Sequence, residues 1–356
     1  MKPKVFYLST SLNIGGTEKY VLTLIENLKN DYDFTVGYLK DKGFYGEELE
    51  KRNIEVLHFN GFWDLAKHLK ANNYSILHTF LFRANILGRL AGKFAKVPIV
   101  ISNQQAIDDW KKFYHSWLEG FTSQWCGLII ANSQTAKGLL VNRDGVDENK
   151  IAVIYNGLNF EAFKTKSTTD EIRKELNIAK NAVVAVYAGR LHAEKGADLL
   201  PKIALDTKDT VFLIVGDGPQ KEAIALQAKT LGIADRFIMT GWRMDIPDIL
   251  NASDIYILPS REESFPQGII EAMYYSLPVV VTDVGGVKEL VDNNVNGIIV
   301  KPNDTKEFSK ALSGLVTDRK KAEGLGRNGK VKCPVYALDI LLDKTKDLYK
   351  DMIKNM

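Results

Sequence analysis

Cysteine is nearly absent: only Cys126 and Cys333 carry a thiol, roughly two hundred positions apart and without partners at metal-ligand spacing, which excludes a disulfide framework and a zinc site. A reducing cytosol is the compartment this implies. No run approaches the ~18 to 20 consecutive apolar residues that span a bilayer, so no membrane-spanning helix is expected. The stretch after Lys2 and Lys4, Val5 to Leu8, is too short for a secretory core and reads as a first strand. Charge of one sign is also lacking. Against 44 acidic residues stand 47 basic ones, a formal charge of +3, too little to argue for a nucleic-acid partner. The glycine loop after the first strand lacks the dinucleotide spacing Gly-x-Gly-x-x-Gly, which counts against a nicotinamide-dependent oxidoreductase.

What is present is an ordinary globular composition, 45% hydrophobic and 26% charged over 356 residues, enough for about two domains at ~150 residues each. Short β-branched runs at 4–8, 34–38, 54–58, 75–78, 97–102, 127–131 and 151–154 alternate with amphipathic stretches. A second series follows at 182–188, 210–215, 236–239, 254–258, 278–282 and 297–300. Alternation of this kind predicts parallel sheets covered by helices, and two series predict two sheets. The polar segment Lys164 to Asp170 (KTKSTTD) reads as the connector, giving domains at 1–164 and 165–336. Leu338, Leu341, Leu342, Leu348 and Met352 recur at helical spacing, so about 337–356 is a terminal helix with something to pack against.

Ligands of open α/β sheets bind beyond the carboxyl ends of the strands, so the loops after each strand carry the candidates. After the first strand stand Gly15 and Gly16 at the start of a helix; they suit either backbone approach to an anion or a plain turn. In the second domain, Gly189-Arg190-Leu191-His192-Ala193-Glu194-Lys195-Gly196 sets two cations five positions apart, a fork and a point charge fit for a diphosphate. Gly216-Asp217-Gly218-Pro219 reads either as a second ligand-facing loop or, more simply, as a tight turn. The richest loop is Pro259-Ser260-Arg261-Glu262-Glu263-Ser264-Phe265-Pro266-Gln267-Gly268-Ile269-Ile270-Glu271. Pro266 belongs near a first helical turn, where unpaired N–H groups around Gln267, Gly268 and Ile269 make an anion site. Glu263 and Glu271 flank it, placed to accept hydrogen bonds from sugar hydroxyls.

These motifs, with Lys150 to Leu158 (KIAVIYNGL), Asp283 to Leu290 (DVGGVKEL) and Asn296-Gly297, resemble those of the retaining nucleotide-sugar glycosyltransferases of family 4 along nearly the whole chain. The resemblance implies the GT-B fold, two Rossmann-like doubly wound domains facing a central cleft, with the terminal helix packing back on the first. It implies that Arg190 and Lys195 hold the donor diphosphate, Glu271 the nucleotide ribose and Glu263 the donor sugar. Gly16 would border the reacting centre and Arg243 would meet the base. The implied reaction is front-face transfer from a UDP- or GDP-sugar to a glycan or lipid-linked hydroxyl, in cell-surface polysaccharide or glycolipid synthesis. No cofactor and no metal are expected, in keeping with the lack of an Asp-x-Asp cluster fit to hold magnesium or manganese.

One departure from the family stands out. Relatives carry a His after the strand at 97–101, where this chain reads Ser102-Asn103-Gln104-Gln105; Asn103 or Gln104 is the expected replacement, and His78 the other imidazole near a strand end. On the acceptor side, Trp110, Phe113, Tyr114, Trp117, Phe121 and Trp125 make one helical stripe. The spacing predicts that most of them face the core. The competing reading is an acceptor groove or a peripheral contact with the inner face of a membrane. Rival functions are a nucleotide-sugar 2-epimerase of the same fold and a catalytically silent sugar-nucleotide-binding subunit.

Overall fold

Runs such as Val183–Ala188 (VVAVYA) and Val279–Thr282 (VVVT) have no polar alternation, the pattern of strands covered on both faces. In the computed structural model, which describes residues 2–355, they become central strands. Met1 and Met356, the outermost residues of the expected domain ranges, lie outside the described residues.

The first sheet comprises β1 (Lys4–Ser9), β2 (Asp33–Tyr38), β3 (Glu55–His58), β4 (Ile76–Phe80), β5 (Ile99–Gln104), β6 (Leu128–Ala131) and β7 (Ile151–Val153). Its order is β3-β2-β1-β4-β5-β6-β7, all parallel. Around it lie α1 (Gly16–Leu28), α2 (Gly43–Lys51), α3 (Phe62–Asn72), α4 (Phe82–Ala95), α5 (Phe113–Ser123) and α6 (Gln134–Asn142). The second unit opens with α7 (Thr169–Glu175). Its strands are β8 (Val183–Ala188), β9 (Thr210–Val215), β10 (Phe237–Gly241), β11 (Ile255–Leu258), β12 (Val279–Thr282) and β13 (Gly297–Val300). Their order is β10-β9-β8-β11-β12-β13, again all parallel. Its remaining helices are α8 (Leu200–Asp206), α9 (Lys221–Thr230), α10 (Ile246–Asn251), α11 (Gln267–Tyr274), α12 (Val287–Leu290), α13 (Thr305–Thr317) and α14 (Arg319–Lys332). The last helix, α15 (Leu338–Lys354), belongs to the first unit from Asp339 onward.

Both sheets are doubly wound: strand order reverses between β1 and β4 in one and between β8 and β11 in the other. Each reversal splays the following loops apart and leaves a crevice at the strands' carboxyl ends.

The units divide at Asn156/Gly157 and Leu338/Asp339, eight residues before the connector expected at 164/165. Residues 157–168 are bound into the second unit. Leu158 bridges Ala337, Phe160 stacks on Tyr274 at 5.1 Å, and the Tyr275 hydroxyl donates to Phe163 O at 2.8 Å. The polar segment itself is fixed by Asp248, whose Oδ1 accepts from Lys166 N and Ser167 N, both at 2.7 Å.

Two strands run past their apolar stretches. β4 continues to Phe80 and β5 to Gln104, so His78 lies within its strand rather than at its end, and Asn103 and Gln104 are strand residues rather than loop residues. Polar partners make this extension tolerable: Thr79 Oγ1 meets Asn85 Oδ1 and Ser102 Oγ at 2.8 and 2.9 Å. His78 is fully buried, stacked on Phe80 at 4.4 Å, with Nδ1 2.5 Å from the Tyr349 hydroxyl of α15. It is a core residue and not a sugar contact. Burial lowers its pKa from 6.5 to about 3, because charging it there would desolvate an imidazolium.

The unfolded chain therefore binds a proton between pH 6.5 and about 3 that the native state refuses, and stability falls as pH falls through that window. We expect His78→Gln to remove up to about 1.4 kcal/mol per pH unit from that slope. Urea denaturation of both proteins between pH 4.5 and 7 measures it, and identical slopes would contradict the assignment.

Candidate functional site

The loops that leave β8 and β11 meet at the second reversal. The β8 loop turns through a short 3-10 segment, Ala193–Lys195, and closes on Gly196 in the left-handed region, φ +63°. A Cβ there would stand 1.9 Å from Pro259 O, so only glycine lets the two loops pack backbone to backbone. Arg261 N and Glu262 N then both donate to Glu194 O, at 2.8 and 3.2 Å.

Arg261 fastens the junction. Its guanidinium grips Asp198 with Nη1 and Nη2 at 2.6 and 2.7 Å, reaches Ala193 O at 2.5 Å, and donates from Nε to Asn303 at 2.7 Å. Hydrogen bonding to Arg261 holds the Asp198 carboxyl below the usual aspartate range. Neither residue was singled out from the sequence. Arg261 lies inside the motif, but no local signal pairs it with Asp198, 63 residues away.

This packing brings Lys195 and Glu263 together. Lys195 Nζ lies 2.8 Å from Glu263 Oε2, and Glu263 Oε1 accepts from Ser260 Oγ at 2.7 Å. Glu263 is 6% exposed, a buried carboxylate held by one cation and one hydroxyl, while Lys195 keeps part of its surface open. Beneath them two buried hydroxyls brace the loop. Tyr187 donates to Arg190 O at 2.8 Å and Tyr256 to Ala188 O at 3.4 Å. Burial, reinforced by the nearby charges of Glu271 and Glu263, pushes the Tyr256 pKa well above 10.0, so it stays a neutral donor.

Helix α11 starts over the Tyr256 hydroxyl, which a Cβ on residue 268 would meet at 2.2 Å; this explains Gly268. Pro266 is the residue before the first helical turn. The Ile269 amide turns back to Pro266 O at 3.1 Å, so it is not open to an anion, as the sequence suggested. Among the described residues, Gln267 and Gly268 supply the open amides, and Gln267 Nε2 is tied to Gly157 O at 3.2 Å. Glu271 follows one turn on, half-buried.

The remaining candidates are placed differently. Arg190 is exposed and paired with Glu194. Arg243 follows β10, separated from β8 by β9, and its guanidinium is taken by Asp245 and Glu175; the structure does not bring it to the Lys195–Glu263 pair. In the first unit Gly16 opens α1 with free space around its Cα, but the Glu18 carboxylate folds back over Gly15 and already complements that helix end. Gln104 spends its amide on Ala106 O and Asp108. Asn103 is fully buried with its side-chain amide toward the Tyr20 hydroxyl, and its Oδ1 accepts from Gln105 at 2.8 Å. Gln105 Oε1 in turn accepts from Asn132 and Asn156 at 3.3 and 3.0 Å, an amide chain that strand-by-strand reading missed.

One literal Asp-x-Asp, Asp31-Tyr32-Asp33, also escaped that reading. It lies at the amino end of β2, opposite the ligand edge, with Asp31 paired to Lys346 at 3.1 Å. Among the described residues, no three of His, Cys, Asp and Glu gather as a metal-holding group.

Two Rossmann-like units, each wound about a reversal point, define the GT-B class of glycosyltransferases. Residues 14–162 match the model of Glycosyltransferase Family 4, and residues 168–332 that of Glycosyl transferases group 1. The chain belongs to this family of glycosyltransferases. It is 33% identical to a UDP-Gal:alpha-D-GlcNAc-diphosphoundecaprenol alpha-1,3-galactosyltransferase of Escherichia coli, over 99% of this chain and 98% of that one. It is 28% identical to an N,N'-diacetylbacillosaminyl-diphospho-undecaprenol alpha-1,3-N-acetylgalactosaminyltransferase of Campylobacter jejuni, over 83% and 82%. The crystal structure of Anabaena HepE in complex with UDP shares the fold, with a TM-score of 0.90 at 23% identity over 99% of this chain and 100% of that one.

Proposed function

We propose that the protein is a retaining hexosyltransferase that moves a sugar from UDP to a hydroxyl of a diphosphoundecaprenol-linked sugar, in the synthesis of a cell-surface polysaccharide. The observation that carries this reading is the Lys195–Glu263 pair beside the start of α11 at the β8/β11 reversal. The printed activities of the Escherichia coli and Campylobacter jejuni relatives support the acceptor class.

In this reading the departing diphosphate takes its charge stabilisation from Lys195, Arg190 and the Gln267 and Gly268 amides. Arg190 gives up only an exposed pair with Glu194, a loss worth little. Glu263, fixed by Ser260 and Lys195, accepts from a donor-sugar hydroxyl, and Glu271 accepts from the ribose. The acceptor oxygen attacks the anomeric carbon on the face the diphosphate leaves. The carbon–oxygen bond electrons go to the phosphate, which also receives the acceptor's proton.

A thermal-shift panel of UDP, GDP, ADP and their sugars tests the donor, since a ligand bound only by the folded state raises Tm. UDP and a UDP-hexose are expected to shift it. Glu271→Ala should weaken UDP about tenfold, the worth of a hydrogen bond to a charged group. A shift with GDP or ADP alone would overturn the donor assignment, and a β-linked product from an α-linked donor, read by NMR, would overturn retention.

A further inference from the structure

Helix α5 is turned inside out. Its buried residues are Ser116, Glu119, Thr122 and Ser123, whereas Phe113 and Trp117 are 85% and 61% exposed. The aromatic stripe expected in the core therefore faces outward. The cause is a buried ion cluster. Glu119 pairs with Arg89 of α4 at 2.6 Å and with Lys111 at 3.2 Å, and Lys111 also meets Asp144 at 3.5 Å, each of these side chains fully buried. Uncompensated burial of those charges would cost several kcal/mol, so the polar face is locked inward.

The outward rings join others. Trp117 stacks on Phe121 at 5.0 Å, Phe121 meets Trp125 at 5.3 Å, and Lys93 Nζ lies 4.5 Å over the Trp125 ring. Next to Lys93, Phe94 packs on Trp63 of α3 at 5.4 Å, and Trp63 is 63% exposed. Helices α3, α4 and α5 lie side by side, so these rings form a band on the first unit.

Charge selects the partner. Residues 62–125 hold eight basic and four acidic residues, a net +4 inside a chain of +3. Two of the acids, Asp108 and Glu119, are consumed by Lys111 and Arg89. Exposed there are Lys67, Lys70, Arg83, Lys93, Lys96 and Lys112, against Asp64 and Asp109.

We propose that this face docks on an anionic lipid bilayer, with Trp63, Phe94, Trp117 and Phe121 in the headgroup–acyl boundary and the lysines on the headgroups. A second copy of the chain would set positive charge against positive charge. The proposal deepens the function above by giving the enzyme a route to its lipid-linked acceptor, and rests on that reading only there.

The test is co-sedimentation of the whole protein, without sugar nucleotide, with vesicles of phosphatidylcholine alone or with about 30% phosphatidylglycerol. Binding to the anionic vesicles should be at least tenfold tighter and should weaken with added salt. Trp117→Ser/Phe121→Ser should lower it about tenfold, with circular dichroism and the UDP thermal shift unchanged, since both rings are exposed. No binding to either vesicle, equal binding by the variant, or a wild-type dimer that the variant dissolves would each overturn the proposal. Because vesicle binding and UDP binding are read separately, failure of one leaves the other standing.

Discussion

Lys195→Ala is expected to lower glycosyl transfer about 10²- to 10³-fold, the usual effect of removing a preorganised donor from developing charge. The ammonium stands at the open end of a buried carboxylate, so it can serve an incoming phosphate without leaving Glu263. Its loss has a second effect. Glu263 would keep only the Ser260 hydroxyl, and an under-satisfied buried group costs about 1–3 kcal/mol. Lys195→Ala/Glu263→Gln separates the two effects. Chemical denaturation should show stability recovered, and transfer kinetics should show activity still lost. Wild-type-like transfer by Lys195→Ala would remove its assigned role. Recovery of transfer in the double variant would make Lys195 a positioning residue for Glu263.

Gly196→Ala should be nearly as damaging without touching any ligand-facing group. At φ +63° an alanine costs roughly 1–2 kcal/mol, and its Cβ would stand 1.9 Å from Pro259 O, so the β8 and β11 loops must part. Separation undoes the Glu194 backbone bonds and the alignment of Lys195 with Glu263. Transfer and UDP affinity should both fall, the first about 10²-fold, as expected for a misplacement of about 1 Å. Gly232→Ala is the control, since residue 232 has φ +69° but open space around its Cα. It should lose stability and keep UDP affinity. Equal UDP affinities for the two variants, by calorimetry, would show that loop packing does not build the site.

Much of this architecture is legible from the chain. Each of the thirteen β-branched runs overlaps a strand, because a strand covered on both faces must be apolar at successive positions. The proximity of the Lys195 and Glu263 loops is legible too, through strand alternation and the rule that ligand loops follow strand ends. The polarity of α5 is not. Periodicity shows that Trp117 and Phe121 share a face, but which face is buried depends on Arg89, Lys111 and Asp144, and ion pairs leave no periodic mark.

The same reason covers the other misplacements. His78 looks like a strand-end imidazole until Tyr349, 271 residues later, closes over it. Arg243 looks available until Glu175, 68 residues earlier, takes its guanidinium. The unit boundary moves to Asn156 because Tyr274 and Tyr275 draw residues 160–163 into the second unit. Local hydrophobic pattern and turn chemistry determined the elements, their order and the two central loops, since these depend on near neighbours in the chain. The tertiary structure alone decided which charges are spent on one another and which rings meet solvent, because those outcomes depend on partners that only folding brings within a few ångströms.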